Sequence, residues 1–412
     1  MPDGPPRRFL FLQGPIRPYF AEVAAGLRAQ GHHTHRINLC LGDRLAWRGP
    51  GATDFRGRPA EWPGFVAAAL DRHGITDLIL LGEQRPYHRV AIAAAKARGS
   101  GVAVVDFGYL RPDWIALERD GMGAESRFPR DPAAIRALAA ACPEPDLAPR
   151  FADSFARQAR WDSVYHLASL LRWRFPHYER FLLHHPLPAY AGTGLNLLRR
   201  GGATRRDAAA LAALAGKPLF LFAMQMETDF SVRAYSRFAD NDAAIAETLG
   251  SFARAAPPDA HLLVKVHPLD PGLKDWRRRI ARLAADAGVE PRVTFLGGAL
   301  PMDAAILACR GVVTINSTLG LRAIMLGRPV LALGQAIYDV PGLVWRGPPD
   351  GFWQNAPPPD AELATAFVRA VAGCLQVRGV FYARPGLDAA VAATVRRLHH
   401  GLLNTPLPAT AA

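Results

Sequence analysis

Over the first 110 residues, short apolar runs alternate with amphipathic stretches at helical spacing. Residues 9–12 form an apolar run ending at Gln13-Gly14-Pro15 and predict a buried strand. Residues 19–30 place apolar side chains on one helical face and stop at Gly31. Further strands are predicted over 35–39, 78–81 and 102–105, and helices over 65–72 and 90–98. Gly-bounded apolar strands separated by helices predict a parallel sheet covered on both faces. Ligands bind such sheets beyond the carboxyl ends of the strands.

From about residue 133 to 215 the pattern is helical, without a strand signal of equal quality. The alternation then restarts, with strands over 219–223, 261–266, 293–296, 312–315 and 329–333, and helices over 241–255, 280–287 and 319–326. The expected fold is α/β and GT-B-like: two Rossmann-like domains facing a central cleft, joined by a helical segment. Expected boundaries are 1–132, 133–215 for the connecting segment, 216–345, and 346–412 for a loop and helices packing back. Neither half carries GxGxxG or a Walker A loop, which argues against a dinucleotide enzyme or a P-loop ATPase.

Composition narrows the class. A chain of 412 residues suits two domains, and half hydrophobic with 21% charged is a globular balance. Cys40, Cys142, Cys309 and Cys374 are scattered, with no CxxC pair and no His at metal spacing. We therefore expect no disulfide framework, no metal and a reducing cytoplasm. No stretch reaches the roughly 18 uncharged apolar residues of a spanning helix. The expected location is cytoplasmic, or peripheral on the inner membrane.

The net charge of +13, supplied mostly by arginine, has two readings. One is an anionic partner: nucleic acid, a lipid surface or a nucleotide-linked acidic substrate. The other is an arginine-rich composition on solvated faces. No recognised module or concentrated basic helix supports nucleic acid as a partner. The basic, aromatic stretch 172–180, with His184-His185-Pro186, reads either as a surface for an anionic acceptor or membrane, or as a solvated linker.

Four motifs at predicted strand ends could carry chemistry. In Lys265-Val266-His267-Pro268, the proline restricts the histidine before it, whose ring N–H could bond a leaving phosphate. The alternative is a histidine that only caps the strand. Asn316-Ser317-Thr318-Leu319-Gly320 reads as an anion-binding helix start or as an ordinary cap. Met224-Gln225-Met226-Glu227-Thr228-Asp229 supplies an amide and two carboxylates, a candidate general base or nucleophile, or else a capping loop. In the first half, residues 82–89 and 106–114 bring Arg85, His88, Arg89, Asp106 and Arg111 to one sheet edge. That set suits a base near an anionic acceptor, or structural ion pairs.

With these residues in view, the chain resembles the bacterial capsule polysaccharide biosynthesis family, in its branch of β-Kdo transferases that start the Kdo linker on a lipid anchor. The likeness rests on Leu12-Gln13-Gly14-Pro15, Arg36-Ile37-Asn38 with Gly42-Asp43, and Arg85-Pro86 with His88-Arg89. Gly108-Tyr109-Leu110-Arg111-Pro112, followed by Trp114 and Glu118, is its most specific piece, and Pro129-Arg130-Asp131-Pro132 continues it. The second half adds Gln225 with Asp229, His267-Pro268, Ser317-Thr318-Leu319-Gly320 and Gly327-Arg328-Pro329-Val330. Asp106-Phe107 stands where the family has two acids, and Ala223-Met224-Gln225 where it has Pro-Leu-Gln.

The resemblance implies a retaining glycosyltransferase with CMP-Kdo as donor and no cofactor. It implies catalytic roles for Asp229 at the anomeric carbon, His267 on the CMP phosphate and Asp106 as the acceptor-side acid/base. The implied donor site is Gln225, Lys265, His267, Pro268, Asn316, Ser317, Thr318 and Gly320, in the domain 216–345. The implied acceptor side is Gln13, Arg85, His88, Arg89, Tyr109 and Arg111, in the domain 1–132. Implied partners are a nucleotide-sugar donor, a lipid or glycolipid acceptor such as lyso-phosphatidylglycerol, the anionic inner membrane and other capsule synthesis and export proteins. The alternatives are a non-catalytic scaffold of the capsule assembly machinery and a UDP-sugar-dependent GT-B enzyme.

Overall fold

The computed structural model describes residues 5–407 apart from 17, 48, 181–184 and 299, so His184 lies outside the described residues. The chain forms two compact units. One comprises Met1–Phe128, Leu138–Phe181 and Arg369–Ala412; the other comprises Pro129–Ala137 and Leu182–Val368. The helices of 133–215 are therefore shared between the units and do not form one connector, and the tail after 345 is divided at residue 368.

The first sheet holds β1 (Arg8–Phe11), β2 (His33–Asn38), β3 (Ala52–Asp54), β4 (Asp77–Leu81), β5 (Gly101–Phe107) and β6 (Trp114–Arg119). The second holds β7 (Leu219–Ala223), β8 (His261–Lys265), β9 (Val293–Leu296), β10 (Gly311–Thr314) and β11 (Val330–Ala332). A last strand, β12 (Gln376–Arg378), returns to the first sheet and pairs antiparallel with β6. The orders are β12-β6-β5-β4-β1-β2-β3 and β11-β10-β7-β8-β9. β1 to β5 are mutually parallel, as are β7 to β11. Every residue of β7 and β8 is buried, which explains why these strands read as continuous apolar runs.

The five parallel strands of each sheet share one topology. The chain starts in the centre, fills one edge, then crosses back beside the first strand. The reversal falls between β1 and β4 in one unit and between β7 and β10 in the other. At such a switch point the connections leave in opposite directions and open a crevice beyond the strand ends.

Two local differences from the sequence reading shape the first unit. The antiparallel partner β6 extends β5 to Phe107, so Asp106 lies in a strand opposite Ala116 and not in a loop. The helix between β4 and β5 spans Pro86–Lys96 and begins at the proline, whose fixed φ suits the first helical position. Tyr87, His88 and Arg89 therefore sit in a helical turn. All four cysteines are free and buried, and the Cys142 and Cys374 sulfurs lie 3.6 Å apart. Among the described residues, no helix is long and apolar enough to cross a membrane.

Candidate functional site

In the second unit, Gln225 follows β7 and Asn316 follows β10, each two residues beyond its strand and thus on either side of the switch point. Gln225 Nε2 donates to Asn316 Oδ1 at 2.8 Å, and the Asn316 backbone N–H donates to Gln225 Oε1 at 2.9 Å. Ser231 joins them: its hydroxyl donates to Asn316 Oδ1 at 3.1 Å, and its carbonyl accepts from Asn316 Nδ2 at 2.9 Å. Fully buried Asn241 donates to the Gln225 carbonyl at 2.8 Å. These bonds fix the loop after β7.

The loop carries two carboxylates, and their surroundings separate them. Glu227 is paired with Lys274 at 2.5 Å, and Lys274 also reaches Asp242 at 3.4 Å. Asp229 is exposed and caps the short helix Phe230–Ala234. Its Oδ1 accepts from the Ser231 N–H at 2.9 Å and its Oδ2 faces Gln225 Nε2 at 3.3 Å. A carboxylate has about four lone-pair sites, so these two donors orient the group without saturating it.

Ser317 caps the helix Thr318–Met325, its Oγ accepting from the Leu319 N–H at 3.2 Å. The Gly320 N–H donates to the Ser317 carbonyl at 2.9 Å, so two first-turn donors are used inside the turn. Gly320 is there for packing. A Cβ would sit 2.2 Å from the hydroxyl of Tyr338, which donates to the Ser317 carbonyl at 2.6 Å. Thr318, the first residue of the helix, is half-buried.

Beyond β8, half-buried His267 accepts the Leu269 N–H on Nδ1 at 3.1 Å. A backbone N–H can only donate, so the neutral ring carries its proton on Nε2 and presents a donor there. Pro268 is exposed, and buried Lys265 donates to the Val266 carbonyl at 2.8 Å.

The first unit treats its switch point differently. Gln13, two residues beyond β1, is buried, and its Nε2 lies 2.9 Å from the Tyr165 hydroxyl, 3.2 Å from Asp43 Oδ2 and 3.3 Å from the Tyr178 hydroxyl. Asp43, also buried, accepts from Tyr165 at 2.9 Å, from the Leu39 N–H at 2.9 Å and from Arg36 at 3.2 Å. Burial drives the Tyr165 and Tyr178 phenols well above their ordinary range. A Cβ on Gly42 would lie 2.6 Å from the Tyr165 ring, so this glycine lets the helix Phe155–Ala168 close over the site.

The other acceptor-side candidates divide into buried and accessible. His88 is fully buried and donates from Nδ1 to the Gly82 carbonyl at 2.8 Å. Burial, reinforced by the Arg85 and Arg36 charges, depresses its pKa to about 3 and keeps the ring neutral. Tyr109 is buried with its hydroxyl on Glu118, accepts the Gly123 N–H at 2.9 Å, and has its phenol pushed well up by burial. Asp106 is half-buried, its Oδ1 accepting the Phe107 N–H at 2.7 Å. Arg111 is exposed, with its guanidinium 5.1 Å from the centre of the Phe107 ring. Arg85 is half-buried at the start of the helix Pro86–Lys96, and Arg89 is exposed on its first turn.

In the basic stretch, Arg174 pairs with Asp54 at 2.9 Å, Arg172 donates to the Tyr178 carbonyl at 3.2 Å, and Phe175 and Tyr178 are buried. Sequence reasoning missed Ser231, Asn241 and Tyr165, and took in Tyr178 only as part of the basic stretch. An Asp-x-Ser cap signature was available for Ser231; the others act on partners far along the chain.

Residues 76–382 match the family described as capsule polysaccharide biosynthesis protein. The capsule polysaccharide export protein KpsS of Escherichia coli is 30% identical over 385 residues, 91% of this chain and 97% of that protein. The capsule polysaccharide modification protein LipB of Neisseria meningitidis serogroup A is 30% identical over 394 residues, 91% of each chain. The solved structure of Thermosulfurimonas dismutans KpsC, beta Kdo 2,7 transferase, superposes with a TM-score of 0.47 at 12% identity, over 94% of this chain and 99% of that one. By family match and by identity along its length, this chain belongs to the capsule polysaccharide biosynthesis protein family.

Proposed function

We propose that the protein is a retaining glycosyltransferase of capsule assembly that transfers Kdo from CMP-Kdo to a lipid anchor such as lyso-phosphatidylglycerol, or to the Kdo linker growing on it. The observation that carries this reading is the Gln225–Asn316 pair, which holds an oriented, exposed carboxylate at the switch point of a Rossmann-like sheet. Asp229 attacks the anomeric carbon and CMP leaves. The acceptor hydroxyl then loses its proton to a base, the role that the family resemblance gives to Asp106, and displaces Asp229; two inversions give net retention.

His267 Nε2–H bonds the leaving phosphate, where negative charge develops. In this reading Thr318 and Ser317 at the helix start bind the phosphate, with Gln225, Lys265, Pro268, Asn316 and Gly320 as the rest of the donor site. On the first unit, Arg85, Arg89 and Arg111 meet the anionic acceptor, while Gln13, His88 and Tyr109 hold the framework behind them. No metal or cofactor enters this reading. The names of the Escherichia coli and Neisseria meningitidis relatives, a capsule export and a capsule modification protein, support work beside other capsule proteins.

The test is incubation with CMP-Kdo and synthetic lipid acceptors, followed by mass analysis, which should show the acceptor gaining Kdo. Asp229→Ala should lower transfer by about 10³-fold or more, with an unchanged circular dichroism spectrum. Full activity in that variant sinks the assignment. Thermal protection by UDP but not CMP would turn the reading to a UDP-sugar enzyme. Absence of CMP release would turn it to a scaffold.

A further inference from the structure

The helix Phe155–Ala168 has two unlike faces. Tyr165, buried, and Trp161, packed on the hydrophobic core, face the first unit. Arg157, Arg160, Val164 and Leu167 follow one another at intervals of three and four residues and are all exposed, so they share one solvent-facing side of the helix, with Trp161 at its border. Leu171, four residues on, continues the row past the helix end, and Arg172 and Trp173 come next. Val164 is 41% exposed, Leu167 44%, Leu171 55% and Trp173 71%.

A helix face turned to water normally carries polar side chains, and a soluble domain ordinarily covers its tryptophans. Here an apolar row ends in an open indole and is bordered by guanidinium groups. Arg157 and Arg160 are exposed, the latter 5.9 Å from the Trp161 ring centre. Asp162, the helix's acidic residue, faces His166 at 3.4 Å.

We propose that this surface docks the protein on an anionic lipid bilayer. Leu167, Leu171 and Trp173 sink to the headgroup level, and Arg157, Arg160 and Arg172 meet lipid phosphates. Apolar and aromatic side chains beside arginines suit the boundary between headgroups and acyl chains, where an indole has both an apolar and a polar neighbour. The chain's net charge of +13 adds long-range attraction to such a surface. A second copy is the poorer occupant, because a two-fold interface would set the same arginines against each other. The proposal gives the lipid-acceptor reading above its membrane contact, and rests on that reading only for its purpose.

The test is flotation of the full chain with vesicles of phosphatidylglycerol and phosphatidylcholine, against phosphatidylcholine alone. The protein should bind the anionic vesicles, weakly at high salt. Leu171→Ser combined with Trp173→Ser should weaken binding by about tenfold or more while leaving the circular dichroism spectrum unchanged. Brominated lipids should quench tryptophan fluorescence, and Trp173→Phe should remove most of that quenching. Absence of binding, equal binding to neutral vesicles, or undiminished binding by the double variant each overturns the proposal. Transfer to a water-soluble acceptor, run in parallel, keeps the two readings apart. Flotation without transfer fails the enzyme and leaves the docking surface, whereas transfer without flotation does the reverse.

Discussion

Both units place a glutamine two residues beyond the central one of five parallel strands laid out in the same order, yet Gln13 and Gln225 end in opposite surroundings. Around Gln13, the glycine at position 42 admits Tyr165, and the crevice fills with a buried network of Asp43, Arg36, Tyr165 and Tyr178. Around Gln225, the partners are the short side chains of Asn316 and Ser231, and the network ends in a carboxylate open to solvent. Topology supplies a crevice in each unit. What packs into it decides whether the polar groups there serve the fold or a ligand.

The largest expected effect is on chemistry at the second glutamine. Gln225→Ala releases Asn316 and Asp229 together and should lower transfer by about 10²-fold, with a smaller loss of stability, since a small misplacement of a reacting group is costly. Gln13→Ala should do the opposite. Stranding buried Asp43 and two phenols should cost about 3 kcal/mol in urea unfolding, with activity per folded molecule retained. If Gln13→Ala instead cuts turnover without loss of stability, the contrast between the units is broken.

His88 sharpens the comparison through pH. Its folded pKa of about 3 lies below the ordinary 6.5, so between these values the unfolded chain binds the extra proton. Its contribution is complete above pH 6.5 and is lost as pH falls toward 3. At pH 5 the loss should be about 2 kcal/mol relative to neutral pH. His88→Gln should flatten that part of the stability profile; an unchanged slope would show a ring open to solvent. His35, lowered to about 4 by burial and by His73, adds a slope of the same sign that persists in the variant. The smallest effect is at the helix after β10, where Ser317→Ala removes a cap worth about 1 kcal/mol.

Much of the second unit was legible because its elements are buried on a regular period. The strands Leu219–Ala223 and Val293–Leu296 and the helix Asn241–Ala255 fall where the pattern of apolar residues puts them. The antiparallel β6 was not legible, because the six-residue connection from β5 contains a proline and gives no short-hairpin signal. The motif after β7 announced two carboxylates, but nothing local distinguishes them. Glu227 is claimed by Lys274, which lies 47 positions away. His88 and Tyr109 read as acceptor-side candidates, and their burial was not legible for the same reason, since it depends on the tertiary structure.

By itself, the sequence determined the alternation of strands and helices, hence the parallel strands of two sheets with loops at their carboxyl ends, and the motifs of the family. Those are written in neighbouring residues, because burial of a strand or a helix face repeats every two or three to four positions. Only the tertiary structure decided that Gln13 is sealed beneath Tyr165 while Gln225 holds an open carboxylate, and that Leu171 and Trp173 remain outside the core. Those outcomes depend on which distant segment approaches closely enough to exclude water, and spacing along the chain does not record that approach.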